Sequence, residues 1–369
     1  MRFDRAVALQ GIAVYVGTRV LVIAVLLVAA RYRQIELEWM LARFDGGFYQ
    51  AIARDGYPER LPLSPNGEPA GSSVAFFPGY PLVTSAVAAL GLPVTVAAVL
   101  VNLIAGAAAA ALIAQIAAVV LGRRAAVPAT LLWCVQPMSF ILSAAYAEAL
   151  FTALAAFCLW ALLSERWLTA GFAALAAGLT RPTGAALILA VLVAAVLSVR
   201  RHGGRRQWVA VVLAPLGLVG YLVWIGVRVG HLDAWFATQR GGWNTSFDAG
   251  ASTLGRAWEH LVHPLSPPTA HAVTATIIVA ATLAALMVRD RLPWPLVIYA
   301  LTVLILAVGA RNLFVSIPRF LLPAFPLLFP LAARLAHLRR SWLIAIGALT
   351  ASIPAVLGAA WMTAFSYAP

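Results

Sequence analysis

The chain has 369 residues, 63% of them hydrophobic and only 11% charged, with a mean hydropathy of +0.91. A soluble domain is about 45–50% apolar and about 25% charged, so this composition excludes a soluble globular enzyme, a disordered chain and a disulfide scaffold. The formal net charge of +13 comes from 26 arginines without a single lysine, and only their placement decides whether it marks a nucleic-acid surface.

A membrane-crossing helix needs about 20 apolar residues. Apolar stretches recur at 8–30, 93–121, 126–143, 147–164, 168–180, 183–199, 208–229, 272–288, 293–310, 319–336 and 342–363, which predicts eleven spans. The first is too long for the core of a cleaved signal peptide, and no small-residue cleavage site follows it. The segment 78–91 is apolar but short and bracketed by Pro78, Pro81 and Pro93, so it reads as a re-entrant or interfacial piece or as the start of the next span. Cys134 and Cys158 both fall inside apolar stretches and imply neither a disulfide framework nor a metal cluster.

Arginine asymmetry orients such a chain. With the N-terminus cytoplasmic, the inner segments carry fourteen arginines against Asp4, Glu165 and Asp290, a net +11. The outer segments and span ends carry eleven arginines and the other ten acids, a net +1, and Arg19 lies inside the first span. The excess is therefore a topology signal, and a nucleic-acid partner is not expected. Six of the outer acids sit in the first outer loop, residues 31–77, and a second large outer loop covers 230–271. Any chemistry is expected to face outward.

Within the first loop, Asp45 precedes Gly46-Gly47 and the helical spacing Phe48/Ile52 and Tyr49/Ala53, ended by Gly56 and Pro58. This predicts a short amphipathic surface helix with Asp45 as its N-cap, or with its carboxylate aimed at a reacting group. Phe76-Phe77-Pro78-Gly79-Tyr80-Pro81 cannot be one regular helix, and its aromatics read as interfacial anchors or as a wall for sugar or lipid. Glu148 stands at the outer edge of a span, and an ionisable residue there is a functional candidate. Arg181 sits at the tip of a tight outer turn before Pro182 and Gly184, where a forked guanidinium suits a phosphate. Arg311 and Arg319 flank the last outer hairpin, with Arg319 tied to a helix start after Pro318. Arg19, near mid-span, pairs with a carboxylate or reaches a phosphate and ranks below Arg181 and Arg319. His231, His260, His263 and His271 lack zinc-ligand spacing beside carboxylates, and the pair His260/His263 reads as a surface-helix face. No Gly-rich phosphate loop or nucleotide fingerprint occurs.

The run Phe44-Asp45-Gly46-Gly47-Phe48-Tyr49 through Ile52-Ala53 to Gly56-Tyr57 resembles the WDGxWYxxIAxxGY stretch of the PIG-V family. That family contains the second mannosyltransferase of GPI-anchor synthesis and bacterial relatives. Phe76–Leu82 resembles its FFPLYP stretch, Ser143–Phe151 its SAxYSESLF stretch, Thr180–Gly184 its TRSNG stretch, and Pro318-Arg319-Phe320 with Pro323 and Pro326 its PRFxLPxFP stretch. The five blocks occur in order between Phe44 and Pro326, within a resemblance that runs from about residue 10 to 335. Phe44 replaces the family's Trp, and Pro182-Thr183 replaces its Ser-Asn.

The resemblance implies one all-α transmembrane module over 1–369, with the GT-C glycosyltransferase fold, amphipathic helices in its first outer loop and a site on the outer or lumenal face. It implies a polyprenyl- or dolichyl-phosphate-mannose donor, a lipid-linked or glycan acceptor, and no required cofactor, although Asp45, Asp55 and Glu148 could supply oxygens to a divalent metal. In such folds the first outer loop carries the key acid, which points to Asp45 as general base with inversion to an α-mannoside. Arg181, Arg319 and Arg311 would hold the donor phosphate, and Glu148 would orient the acceptor or Arg181. Phe48, Tyr49, Phe76, Phe77, Tyr80 and Tyr146 would line sugar or lipid. The alternatives are a GT-C transferase for another lipid-phosphate sugar, a non-catalytic subunit of one, and a polytopic lipid or sugar transporter. Against transport, the acids gather in loops and no paired repeat is visible.

Overall fold

A computed structural model describes residues 3–202, 204–365 and 368. The inner arginine Arg2 lies outside them, as do the side chains of Arg201 and Arg340. The molecule is all-α, 77% helical, and no strand occurs among the described residues.

Among the described residues, six stretches are long and apolar enough to cross a membrane, and up to eight are if each bent pair counts as one span. The six are α1 (Arg5–Arg33), α5 (Val94–Leu121), Pro182–Arg200, Arg205–Val229, α14 (Pro268–Arg289) and α18 (Arg340–Thr363). Between α1 and α5 lie three short helices, α2 (Leu37–Leu41), α3 (Asp45–Asp55) and α4 (Gly79–Ala88). The apolar faces that α18 leaves uncovered, Trp342, Ile344, Leu349, Ile353 and Val356, suit contact with lipid chains rather than water.

Two of the eleven expected spans are not single helices. The stretch 126–143 is α6 (Ala126–Cys134) followed by a 3-10 helix at Pro137–Ser143, bent by 84°. The stretch 319–336 belongs to Phe314–Phe320 and Phe325–Leu335, bent by 79°, and contains α16 (Ile317–Phe320) and α17 (Phe329–Leu335). Proline is the cause at both breaks: Pro137, Pro323 and Pro326 cannot continue the helical hydrogen-bond ladder. Three further stretches are apolar helices shorter than a full span: α7 (Glu148–Leu163), α8 (Trp167–Gly178) and α15 (Trp294–Gly309). The segment 78–91 is a ten-residue helix, α4, not a span.

Breaking a helix inside an apolar bundle frees carbonyls that must find donors. Arg19 supplies them. Its guanidinium donates to the Cys134 carbonyl at 2.9 Å, to the Ser139 carbonyl and to the Ser139 hydroxyl at 3.3 Å. The expectation of a carboxylate or phosphate partner for Arg19 is corrected: this cation is 2% exposed and spent on the backbone of the first broken stretch. α1 can approach closely because Gly106 on α5 leaves room for Tyr15; a Cβ there would sit 2.1 Å from the Tyr15 hydroxyl.

The two large loops share one end of the bundle. Trp235 donates to the Ala75 carbonyl at 3.1 Å, and Arg228 donates to the Tyr57 carbonyl at 2.8 Å. The other end is tied by Asp4 to Arg123 at 2.8 Å and by Asp290 to Arg334 at 3.3 Å.

Candidate active site

The helix expected after Asp45 is present as α3, and Gly56 ends it in the left-handed region at φ +75°. Its N-cap, however, is Phe44, and no side chain caps it. Asp45 is the first helical residue, and its carboxylate turns to Arg319 instead of to the helix's own N–H groups: the pair is 2.5 Å apart across 274 positions.

Three local features bring this turn to the site. The Ala145 N–H donates to the Leu41 carbonyl at 2.9 Å, joining the end of α2 to the chain just before α7. Asn102, buried in α5, donates to the carbonyls of Ala144 and Tyr146 and fixes the same turn. α7 then begins with Glu148, which favours a carboxylate at the positive end of the helix. From the other side, the Gly79 N–H at the start of α4 donates to the Leu179 carbonyl at 2.7 Å, two residues before Arg181. A Cβ on Gly79 would come within 2.8 Å of the Thr180 hydroxyl, so this approach requires glycine.

The result is a chain of four charges. Asp45 contacts Arg319, the Arg319 Nε lies 3.7 Å from Glu148, and Glu148 lies 2.5 Å from Arg181. The Glu148 side chain is 0% exposed, Arg181 and Arg319 are nearly covered, and only Asp45 is open to solvent, with 21% of its side chain exposed. Both Glu148 oxygens, the Arg181 Nε and the Arg319 Nε lack a well-aligned hydrogen bond. The Glu148 contacts are therefore close ion pairs with hydrogen-bonding capacity to spare. Such unfilled capacity in a buried site is where a polar ligand gains most.

Aromatic rings surround the cluster. The Arg319 guanidinium lies 5.5 Å from the Tyr146 ring and 4.8 Å from Phe320, and Arg181 lies 5.7 Å from Phe320. Tyr49 stands edge-on to Phe76 and Tyr80, and burial pushes its hydroxyl well above the usual tyrosine range, so it stays a proton donor. Phe48 stacks on Phe76 at 4.7 Å, and both meet Trp243 of the second loop, a contact that spacing gave no sign of. Phe77 points elsewhere, against Tyr221 at 4.4 Å and Trp235. Tyr80 is buried and donates to the Ala98 carbonyl at 2.9 Å.

Arg311 does not join the four charges. It is exposed, and its N–H bonds to the Ser246 carbonyl at 2.8 Å beside the bridge between Phe247 and Ala310. Asp55 is exposed at the far end of α3, about 15 Å from Asp45 at 1.5 Å of rise per residue, so the two cannot share a metal. Among the described residues, no three His, Cys, Asp or Glu side chains converge as a metal site. His260 lies on α13 (Ala251–Val262), with its ring near His271 and Phe314.

A groove of about 340 Å³ runs beside α3 and α4, lined by Ile52, Tyr57, Pro81, Leu82, Tyr221 and Trp224 among others. None of the four charged residues lines it. A hollow of about 470 Å³ lies at the opposite end of the bundle, around Asp290 and Arg291.

This architecture is the GT-C glycosyltransferase fold, carried by a multi-pass membrane protein. Among solved structures the chain is similar to ArnT from Cupriavidus metallidurans bound to undecaprenyl phosphate, at 20% identity and a TM-score of 0.54, covering 93% of this chain and 69% of that one. The apo state of the same protein matches at 21% identity and 0.52, over 83% of this chain and 56% of that one. The Archaeoglobus fulgidus oligosaccharyltransferase, in complex with Zn and sulfate, matches at 15% and 0.53, over 95% of this chain and 53% of that one. The chain thus spans only about half to two thirds of these proteins. The sequence matches no family model and no curated protein, so the PIG-V resemblance rests on its five motifs.

Proposed function

We propose that the protein is an integral-membrane glycosyltransferase that moves mannose from a polyprenyl-phosphate-mannose donor to a lipid-linked or glycan acceptor on the outer face. The observation that carries this reading is the chain of two carboxylates and two guanidiniums, buried except at Asp45. A lipid phosphate competes with Asp45 and Glu148 for Arg319 and Arg181, whose forked donors suit phosphate oxygens. The similarity to a fold whose neighbour is bound to undecaprenyl phosphate supports the donor class, and the motifs support the sugar.

In this reading Asp45, the exposed member, accepts the proton of the acceptor hydroxyl as that oxygen attacks the anomeric carbon. The bond from that carbon to the phosphate oxygen breaks, the lipid phosphate leaves as an anion, and attack from the opposite side inverts a β-linked donor to an α-mannoside. Arg319 and Arg181 stabilise the charge growing on the leaving phosphate. Glu148 holds Arg181 in place. The apolar groove beside α3 takes part of the isoprenoid chain. Arg311, exposed and outside the four, is assigned to first contact with the anionic donor rather than to its final position.

The test uses the purified protein in lipid nanodiscs with radiolabelled polyprenyl-phosphate-mannose and a native membrane extract as acceptor. Asp45→Asn is expected to lose at least about a hundred-fold in turnover, the lower end of the range for removing a general base. Near-normal turnover by a correctly inserted Asp45→Asn protein would remove the base assignment. A wild-type protein that takes sugar only from polyprenyl-phosphate-arabinose or -glucose would keep the class and change the donor.

A further inference from the structure

The turn that delivers Asp45 is held in a conformation that its own residue resists. Phe44 has φ +59° and ψ −122°, a region that glycine enters freely and a residue with a Cβ does not. Such a backbone persists only where its surroundings over-determine it. Here they do so on both sides of one peptide. The Arg43 carbonyl accepts the Gly46 N–H at 3.3 Å, as any tight turn would arrange, and also the Tyr146 hydroxyl at 3.2 Å. The Arg43 guanidinium donates to the Met362 carbonyl at 3.0 Å and lies over the rings of Trp39 and Phe44. Tyr146 is itself fixed: it is fully buried, its carbonyl accepts from Asn102 at 2.7 Å, and its ring lies against the Arg319 guanidinium.

We propose that Tyr146 is a positioning residue, whose hydroxyl pins the Arg43–Phe44 peptide in its strained turn and so aims the Asp45 carboxylate at Arg319. Its phenolic hydrogen is given to the backbone, so Tyr146 acts on the reaction through Asp45 and not through the sugar. The ring and the hydroxyl have separable tasks. The ring faces Arg319, and the hydroxyl sets the direction of Asp45. The consequences for turnover rest on the transferase reading; those for stability do not.

Two substitutions and their combination test this. Tyr146→Phe keeps the ring and removes the hydrogen bond. It is expected to fold, to lower kcat about 10- to 100-fold as expected for a misplaced reacting group, and to leave the donor KM within about two-fold. Phe44→Gly occupies the same turn without strain, so the hydroxyl is no longer needed. The double variant is expected to recover most of the lost kcat. In detergent, Tyr146→Phe is expected to lower the thermal midpoint of the wild type and to have a clearly smaller effect in the Phe44→Gly background. Wild-type kcat in Tyr146→Phe, or a double variant no faster than Tyr146→Phe alone, overturns the proposal. So do strictly additive shifts in midpoint. If the wild type transfers no sugar from any lipid-linked donor, the transferase reading falls, while the coupling between Tyr146 and Phe44 is still decided by the midpoints.

Discussion

Glu148 faces two guanidiniums at once, and this decides what its loss costs. Removing one partner of a buried ion pair leaves an uncompensated charge, at about 3–5 kcal/mol. Glu148→Gln, which strands Arg181 with no carboxylate close by, is expected to lower stability by roughly that amount, read as a drop in thermal midpoint in detergent. Adding Arg181→Met to Glu148→Gln removes the stranded charge and should restore at least half of the midpoint, yet on the proposed reading leave no transfer of sugar. A double variant as unstable as Glu148→Gln alone would show that the pair is not what Glu148 supports. The sequence singled out Asp45 in the first loop and Glu148, Arg181 and Arg319 at the ends of apolar stretches, and the family resemblance offered Arg181 as one partner for Glu148. The links of Arg319 to Asp45 and to Glu148 were not legible, because linear spacing carries no information on which helix ends meet. Asp45 also looked like a helix cap, and only the geometry shows its carboxylate turned to a partner 274 positions away. Phe44 gave no local sign of its strain, since a bulky aromatic is not the residue that turn chemistry favours at positive φ.

Broken helices set the next limit. Hydropathy reads 126–143 as one uniform apolar run, and the marks of the break in the sequence are Pro137 and the polar residues Gln136, Ser139 and Ser143. The partner that makes the break tolerable, Arg19, lies over a hundred residues earlier on α1. Arg19→Leu is expected to cost at least about 2 kcal/mol, because the buried Ser139 carbonyl loses its donor and the Cys134 carbonyl keeps only the Ser139 hydroxyl. Arg19→Lys, with a single point of donation in place of a fork, should fall between the two. Thermal unfolding in detergent measures both; an Arg19→Leu protein as stable as the wild type would mean that water or another group serves those carbonyls. In the second loop, Asp248 starts α13 by accepting from the N–H groups of Gly250 at 2.9 Å and Ser252 at 3.0 Å. The Ser252 side chain, and then its N–H, lie beside the Asp248 carboxyl and hold it below the usual aspartate range. A group whose acid strength rises on folding stabilises the fold above its ordinary pKa and loses that contribution as pH falls through the folded value. Limited proteolysis within 244–262 should therefore quicken at acid pH, and Asp248→Asn should blunt that pH dependence.

For the molecule as a whole, the charge asymmetry is the most direct prediction. Both native cysteines are buried, so the background for thiol labelling is low. Glu68→Cys, exposed in the first loop, is expected to react with a membrane-impermeant maleimide in intact cells, and Arg124→Cys, exposed at the other end, only after the cells are opened. The reverse pattern would invert the orientation and place the charge cluster on the cytoplasmic side. The class of fold was legible from composition, because a bundle this apolar has few other solutions. Eleven apolar stretches were legible, but not eleven spans: among the described residues six, or up to eight with the bent pairs, are long and apolar enough to cross a membrane. Their shape was not: six are full-length helices, two are bent by about a right angle, and three are shorter than a bilayer. The bends follow from prolines, whose effect hydropathy averages away. The crossing from one large loop to the other, through Trp243 onto Phe48 and Phe76, depends on tertiary packing alone.

The four-membered cluster has one more consequence, in electroneutrality. Two carboxylates and two guanidiniums sum to zero, so on the proposed reading an arriving phosphodiester brings the pocket to one net negative charge. In the proposed reaction, when the glycosyl bond breaks, the phosphate gains a second negative charge while Asp45 gains a proton. The total does not change. In a setting where water is scarce and charge is costly, the chemical step only moves charge within the pocket, and nothing has to enter or leave it for the step to finish. The imbalance appears afterwards, when the lipid phosphate departs and Asp45 must shed its proton, and Asp45 is the one member of the four that is open to water.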